Sequence, residues 1–366
     1  MRKLLTLYLI TLSMVHLEVM GPIRYLFCSV IIALILIVEN KVFISKSYTY
    51  NLGGILLIGG GLFASVDMGN LTSLAYVLFI TINFMLYPGF EKYHLPRRYV
   101  LYTAFYLLLT VMYVNDFSSV RGNNLYGNPN NYATVTLCAA YFGILGFKGK
   151  PLYQLLTVPV FLFFIFISAS RTQLTGLLLF YGLYFSQQYV LRTHLRRTIF
   201  FFLLIIFALY GTMITGDPFN IVGTVQDNTY GHKSYRGLSY RDVLFFASID
   251  ILAKYPQGVG WGLSGVYIYD YMGETLSPHN TFMKVAVEGG WVSLVGFLTI
   301  ILGRLWNAAT PLVSSFMIAV LLRGLFESST PFTLSFISAM LLIPFFLNET
   351  TVTETTPKSA AVIAAT

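Results

Sequence analysis

Arg171 follows the run FLFFIFISAS and opens a new apolar run, SRTQLTGLLLF. It would stand at the head of a helix, beside backbone N–H groups that have no partner within that helix. A cation there opposes the helix dipole unless an anion joins both. Two readings stand for it. One is an arginine whose stem lies along apolar surface while its head reaches water. The other is half of an anion clamp, with Ser168 and Ser170 as further donors. Arg241 repeats the placement: Ser239 and Asp242 form a capping-box pattern, and Arg241 lies in the first turn of the helix they begin. It is either an exposed partner of Asp242 or a second cation for the same anion. His279, one of five histidines, is held by Pro278 just ahead of Asn280, a good N-cap for the next apolar helix. It has a structural reading, and a functional one at a helix mouth across from the two arginines. Lys284 with Glu288, and Arg323 with Glu327, are spaced to neutralise each other across one helical turn. Four ionisable residues near the same ends of adjacent helices imply a polar cavity opening there.

The elements that must position these residues follow from composition. The chain has 366 residues, 56% hydrophobic and only 10% charged, with mean hydropathy +0.70. A soluble domain carries about 25% charge, and apolar runs of roughly 17–20 residues recur here, the length that crosses a hydrocarbon core. This excludes a soluble enzyme, a disordered chain and a secreted disulfide scaffold. Cys28 and Cys138 fall inside apolar runs and read as buried free thiols.

The expected fold is all-α: a single polytopic membrane domain over residues 1–366 with about twelve spans. These are Leu4–Met20, Tyr25–Val38, Leu52–Val66, Leu71–Tyr87, Tyr99–Val114, Tyr132–Phe147, Leu152–Ser168, Thr172–Tyr189, Thr198–Thr215, Thr281–Leu302, Leu305–Leu322 and Pro331–Leu347. No small-residue cleavage site follows Leu4–Met20, so it is taken as a span and not as a signal peptide. Alternating the spans from a cytoplasmic N-terminus puts 14 of the 23 basic residues inside and 11 of the 15 acidic ones elsewhere, the asymmetry of a positive-inside membrane protein. Both termini are then cytoplasmic. The outside holds a first loop, Asn115–Asn131, and a large one, Gly216–Asn280. The net charge of +8 reflects this sidedness, and no nucleic-acid partner is expected. In the large loop, Tyr240, Val243, Leu244, Ala247, Ile251 and Leu252 recur at helical spacing, with Arg241, Ser248 and Lys254 off the stripe, as in an amphipathic helix at the interface. GVGWGLSG (258–265) lacks the strand and helix that a phosphate-binding loop needs and reads as a flexible turn.

Four segments then stand in order: NPNNYA (128–133), SASRTQLTGLLLFYGL from Ser168, YRDVLFFASIDILAKYPQGVGWG from Tyr240, and SPHNTFMKVAVEGGW from Ser277. Together they resemble the O-antigen ligase and O-antigen polymerase superfamily of bacterial envelope glycosyltransferases, over roughly Arg121 to Glu327. Arg171 matches the family's arginine after a serine, Arg241 the arginine opening its loop helix, and His279 the histidine before asparagine. The resemblance implies metal-independent transfer, without a cofactor, from an undecaprenyl-pyrophosphate-linked glycan at the outer face of the bacterial inner membrane. The chemistry fits. A pyrophosphate leaving group gains charge as the glycosidic bond breaks, and cations placed there lower the barrier. Arginine forks match phosphate oxygens, and a neutral histidine can take the proton of an acceptor hydroxyl.

The expected activity is polymerisation of lipid-linked oligosaccharide repeat units. His279 would be the general base, Arg171 and Arg241 would hold the pyrophosphate with Arg323 as a third cation, and Ser170, Asn280 and Glu327 would support them. The partners would be the lipid-linked donor, a glycan acceptor, the bilayer and a chain-length regulator. The alternative is a ligase, which transfers the finished glycan to lipid A–core or protein. A lipid-linked oligosaccharide transporter ranks third, because no internal repeat stands out and the polar residues gather at one face.

Overall fold

The computed structural model describes residues 2–14, 23–39, 45–93, 95–112, 129–167, 170–189, 241–273, 276–308, 310–327, 329, 331–332, 342–347 and 352–353. These are mostly helical, at 83%. Side-chain caps set several of the starts. Ser47 accepts from the Tyr50 N–H ahead of α3, and Asn70 from the Ser73 N–H ahead of α4, each satisfying one of the orphan donors of a first turn. Thr310 caps α13, whose first residue is proline.

In chain order the helices are α1 (Arg2–Met14), α2 (Ile23–Glu39), α3 (Tyr48–Asp67), α4 (Leu71–Leu86), the short α5 (Pro88–Lys92), α6 (Arg97–Met112), α7 (Pro129–Gly146), α8 (Pro151–Ile167), α9 (Arg171–Tyr189), α10 (Arg241–Lys254), α11 (Ser264–Met272), α12 (Thr281–Trp306) and α13 (Pro311–Phe326). Among the described residues three helical stretches are long and apolar enough to cross a membrane: Tyr48–Asp67, Leu71–Lys92 and Thr281–Trp306. The one departure from all-α among the described residues is a two-residue parallel pairing of β1 (Leu95–Pro96) with β2 (Val352–Thr353). Cys28 and Cys138 are buried and unbridged.

Among the described residues α3 and α12 pack on each other most extensively, through small residues. A side chain at Gly53 would meet the Gly296 carbonyl at 2.6 Å, and Ser293 Oγ donates to the Leu57 carbonyl at 2.8 Å. Backbones this close gain dispersion and interhelical hydrogen bonds where lipid offers no hydrophobic drive.

Connections sort to two ends of the molecule. At one, Arg304 pairs with Glu91 at 3.3 Å, β1 meets β2, and Arg97 Nε donates to the Gly146 carbonyl at 2.5 Å. At the other, Gln257 Nε2 donates to Asp67 Oδ2 at 3.0 Å, and the first residues of α7 meet the last of α13. α12 joins the two, with Thr281 at the second end and Arg304 at the first.

Several expectations change. α12 does not stop at Leu302 with a new span at Leu305. It runs to Trp306, and α13 begins at Pro311, because Arg304 in a last turn suits the helix dipole and has Glu91 to pair with. α7 begins at Pro129, so residues 129–131, expected in the first loop, are helix. The expected span Thr198–Thr215, residues 115–128, residues 216–240 and most of Pro331–Leu347 lie outside the described residues.

The segment between α10 and α12 holds a second helix, α11, that periodicity alone did not reveal. GVGWG is no flexible turn. Gly258, Gly260 and Gly262 all have positive φ (94°, 95° and 81°), and the loop wedges into a break in α12 at Gly290 (φ 76°, ψ 179°). There the Val259 and Gly260 N–H groups donate to the Val287 and Glu288 carbonyls at 2.8 and 2.9 Å, and the Trp291 N–H to the Pro256 carbonyl. Trp261, fully buried, drives the wedge home. Along α10, Leu244, Ala247, Ile251 and Leu252 are buried as expected; Ser248 is buried too, its hydroxyl satisfied by the Leu244 carbonyl at 2.6 Å.

Candidate functional site

The site lies where four helix ends meet: the starts of α7, α9 and α12 and the end of α13. Asn130, in the first turn of α7, is its hub. Its Oδ1 accepts from Ser170 Oγ at 2.9 Å, and its Nδ2 donates to Glu327 Oε1 at 2.8 Å. The other carboxylate oxygen of Glu327 stands 4.0 Å from His279 Nδ1. Glu327 is buried while the His279 side chain is partly exposed, at 9% and 37%, so the imidazole is the member of the pair that a substrate can reach.

Local structure explains how His279 is presented. Asn280 caps α12, accepting from the Phe282 and Met283 N–H groups at 2.9 and 3.0 Å. It also donates to the Leu325 carbonyl of α13 at 3.2 Å. Thr281 Oγ1 donates to the Glu327 carbonyl at 2.8 Å and accepts from the Ser329 N–H at 3.2 Å. Pinned on that side, His279 turns into the left-handed region, φ 49°, which side chains other than glycine rarely adopt.

Arg323, one turn before Glu327, is 2% exposed. Its Nε donates to Thr134 Oγ1 at 3.0 Å, a hydroxyl that also accepts from Gln173 Nε2 at 3.1 Å and donates to the Asn130 carbonyl at 2.7 Å. Its Nη1 has no hydrogen-bond partner among the described residues, nor has Gln173 Oε1. A buried cationic donor left unfilled is costly, and an oxyanion would fill it. Arg323, Thr281 and Ser329 line a small cavity, little more than water-sized, whose remaining wall is apolar, including Phe297, Ile301 and Val320.

The structure thus brings together His279, Asn280, Ser170, Arg323 and Glu327 from the sequence-predicted set. Arg171 and Arg241 open α9 and α10 as expected, and Arg171 directly follows Ser170 of the network; both side chains lie outside the described residues, as does Ser168. α10 packs on α12, with Leu244 and Ile251 in one cluster with Val287. Lys284 and Glu288 pair at 3.9 Å; the fully buried Glu288 also accepts from Ser264 Oγ at 2.6 Å, fastening α11 to α12. Among the described residues no three His, Cys, Asp or Glu side chains group as metal ligands.

Compared with models of known protein families and with curated protein sequences, the chain matches none.

Sequence reasoning missed Asn130, Thr134, Gln173 and Thr281. A signal existed for Asn130, since Pro129 is a residue of first helical turns and places Asn130 at a helix mouth like those of Arg171 and His279. Nothing local marks Thr134 or Gln173; their roles come from α13 crossing them.

Proposed function

We propose that this chain is a bacterial inner-membrane glycosyltransferase of the O-antigen ligase and polymerase kind, which polymerises undecaprenyl-pyrophosphate-linked repeat units at the outer face. The observation that carries the reading is the convergence of three segments of the resemblance, through Asn130, Ser170 and His279, on Glu327, beside a buried guanidinium with an unfilled donor. In this reading about twelve spans put both termini in the cytoplasm, and the end carrying His279 faces outward.

The acceptor hydroxyl oxygen attacks the anomeric carbon of the donor. His279 Nε2 takes the hydroxyl proton, and Glu327, facing Nδ1, orients the ring and offsets the imidazolium charge that results. The bond from the anomeric carbon to the pyrophosphate oxygen breaks, and its electron pair leaves with the pyrophosphate. Arg171, Arg241 and Arg323 stabilise that charge, and the unfilled Nη1 of Arg323 is available for a phosphate oxygen. Ser170 holds Asn130, which holds Glu327, while Asn280 fixes the turn that presents His279. A glycan acceptor is the second substrate, and a chain-length regulator is the protein partner of this reading.

Complementation tests it. Expression in a strain lacking its polymerase restores long glycan ladders, and expression in a strain lacking its ligase does not. Ladders restored only by the second strain's repair would convert the reading to a ligase. Failure in both strains, with the protein present in the membrane, would reject transfer altogether.

A further inference from the structure

At the end of the molecule opposite His279, helices α6, α7 and α8 flank a predominantly apolar groove, open on one side. Leu101, Phe105 and Leu108 form one wall, Leu156 and Val160 the other, and Gly143 lies between. On α6 the lining runs from Leu101 to Leu108, roughly 11 Å of helix. Half of a ~30 Å hydrocarbon core is about 15 Å. The groove covers most of one leaflet.

Its mouth is cationic. Arg97 and Arg98 stand one turn ahead of Leu101, and Lys148 and Lys150 follow Phe147. Arg97 Nε ties α6 to the end of α7 through the Gly146 carbonyl. Lys150 Nζ lies 5.5 Å from the centre of the Tyr153 ring, which stacks on Phe147 at 5.5 Å. Arg98, Lys148 and Lys150 are exposed. No Asp or Glu occurs anywhere in Arg97–Met112 or Pro129–Ile167, so the three helices bring no acid of their own to this mouth.

We infer that this groove binds an anionic phospholipid, with an acyl chain between α6 and α8 and the phosphate under Arg98, Lys148 and Lys150. Charge complementarity selects the occupant. An apolar slot within one leaflet accepts any acyl chain, but three cations at its rim favour a head group with net negative charge, and basic pockets between spans bind such head groups. The site is independent of the transferase reading and needs only that these helices cross a bilayer.

The test is lipid titration of the purified full-length protein, with bound lipid counted by native mass spectrometry. The probes are phosphatidylglycerol and phosphatidylcholine with identical acyl chains. Phosphatidylglycerol should bind at least tenfold more tightly. The variant R98Q/K148Q/K150Q should weaken it by about fivefold per cation removed, roughly two orders of magnitude together, and leave phosphatidylcholine unchanged. Gly143→Leu should abolish binding of both, because a Cβ there already lies 3.4 Å from the Phe161 ring and the branch must enter the groove. If Gly143→Leu fails to fold, the charge variant decides, since its side chains are exposed. Equal affinity for the two lipids, or an unweakened charge variant, overturns the inference. So would a polypeptide retained stoichiometrically in the groove.

Discussion

His279 sits at φ 49°, a backbone conformation that costs on the order of 1–3 kcal/mol for such a residue and persists because Asn280 and Thr281 are both bonded to α13. Strain and function can be separated there. His279→Ala should lower glycan transfer by roughly 10²–10⁴-fold, the usual worth of a general base, with protein levels in the membrane unchanged. His279→Gly should be equally inactive, yet unfold at or above the native temperature, since glycine accepts that φ freely. A glycine variant that both folds and transfers glycan would remove the imidazole from the mechanism. Arg323 gives the complementary case. Arg323 and Glu327 are both buried, and deleting one charge of a buried pair is strongly destabilising, so lysine, which keeps the charge and loses the planar fork, separates the two roles. Arg323→Lys should keep its melting temperature while transfer falls by about 10²–10³-fold, the effect of deleting one donor to a developing oxyanion. Loss of stability without loss of turnover would make Arg323 a structural residue.

At the scale of elements, the break in α12 sets the geometry. Gly290 is held at φ 76°, ψ 179°, a region that is essentially glycine's alone, and a side chain there would strike the Gln257 backbone. The freed carbonyls of Val287 and Glu288 bond to the 258–260 loop, so the segment between α10 and α12 is tied to α12 at the break itself. Gly290→Ala should cost about 2 kcal/mol or more, seen as a lower melting temperature and poor yield. Gly59, on the exposed side of α3 with open space around it, is the control: Gly59→Ala should be neutral or stabilising by up to about 1 kcal/mol. Equal effects at both positions would mean that the break is not a built feature.

Over the whole molecule, contacts between distant segments respect the two ends: Glu91 with Arg304, and β1 with β2, at one; Asp67 with Gln257, and Asn130 with Glu327, at the other. These are the segments that charge alternation assigns to the inside and to the outside respectively. With Cys28 and Cys138, both buried, replaced by serine, cysteines at positions 150 and 273 should react with an impermeant maleimide from opposite sides of the membrane, position 150 from the cytoplasm. Reaction of both from one side would break the span count and the outward orientation of the His279 end together.

Composition and hydropathy by themselves determined that the chain is helical and membrane-associated, because a charge-poor chain with repeated apolar runs can satisfy its backbone in lipid only by helices or a closed barrel. Local signals also placed the mouths of helices at Arg171, Arg241 and Asn280, since capping is chemistry between near neighbours. Only the tertiary structure decided that Glu327, held by Asn130, faces His279, that Thr134 carries the Arg323 guanidinium, and that the glycine loop is a wedge. Those contacts join residues 40 to 197 positions apart or depend on a helix breaking where another backbone can fill the gap. Helical periodicity, read along one element at a time, holds no record of which faces will cross.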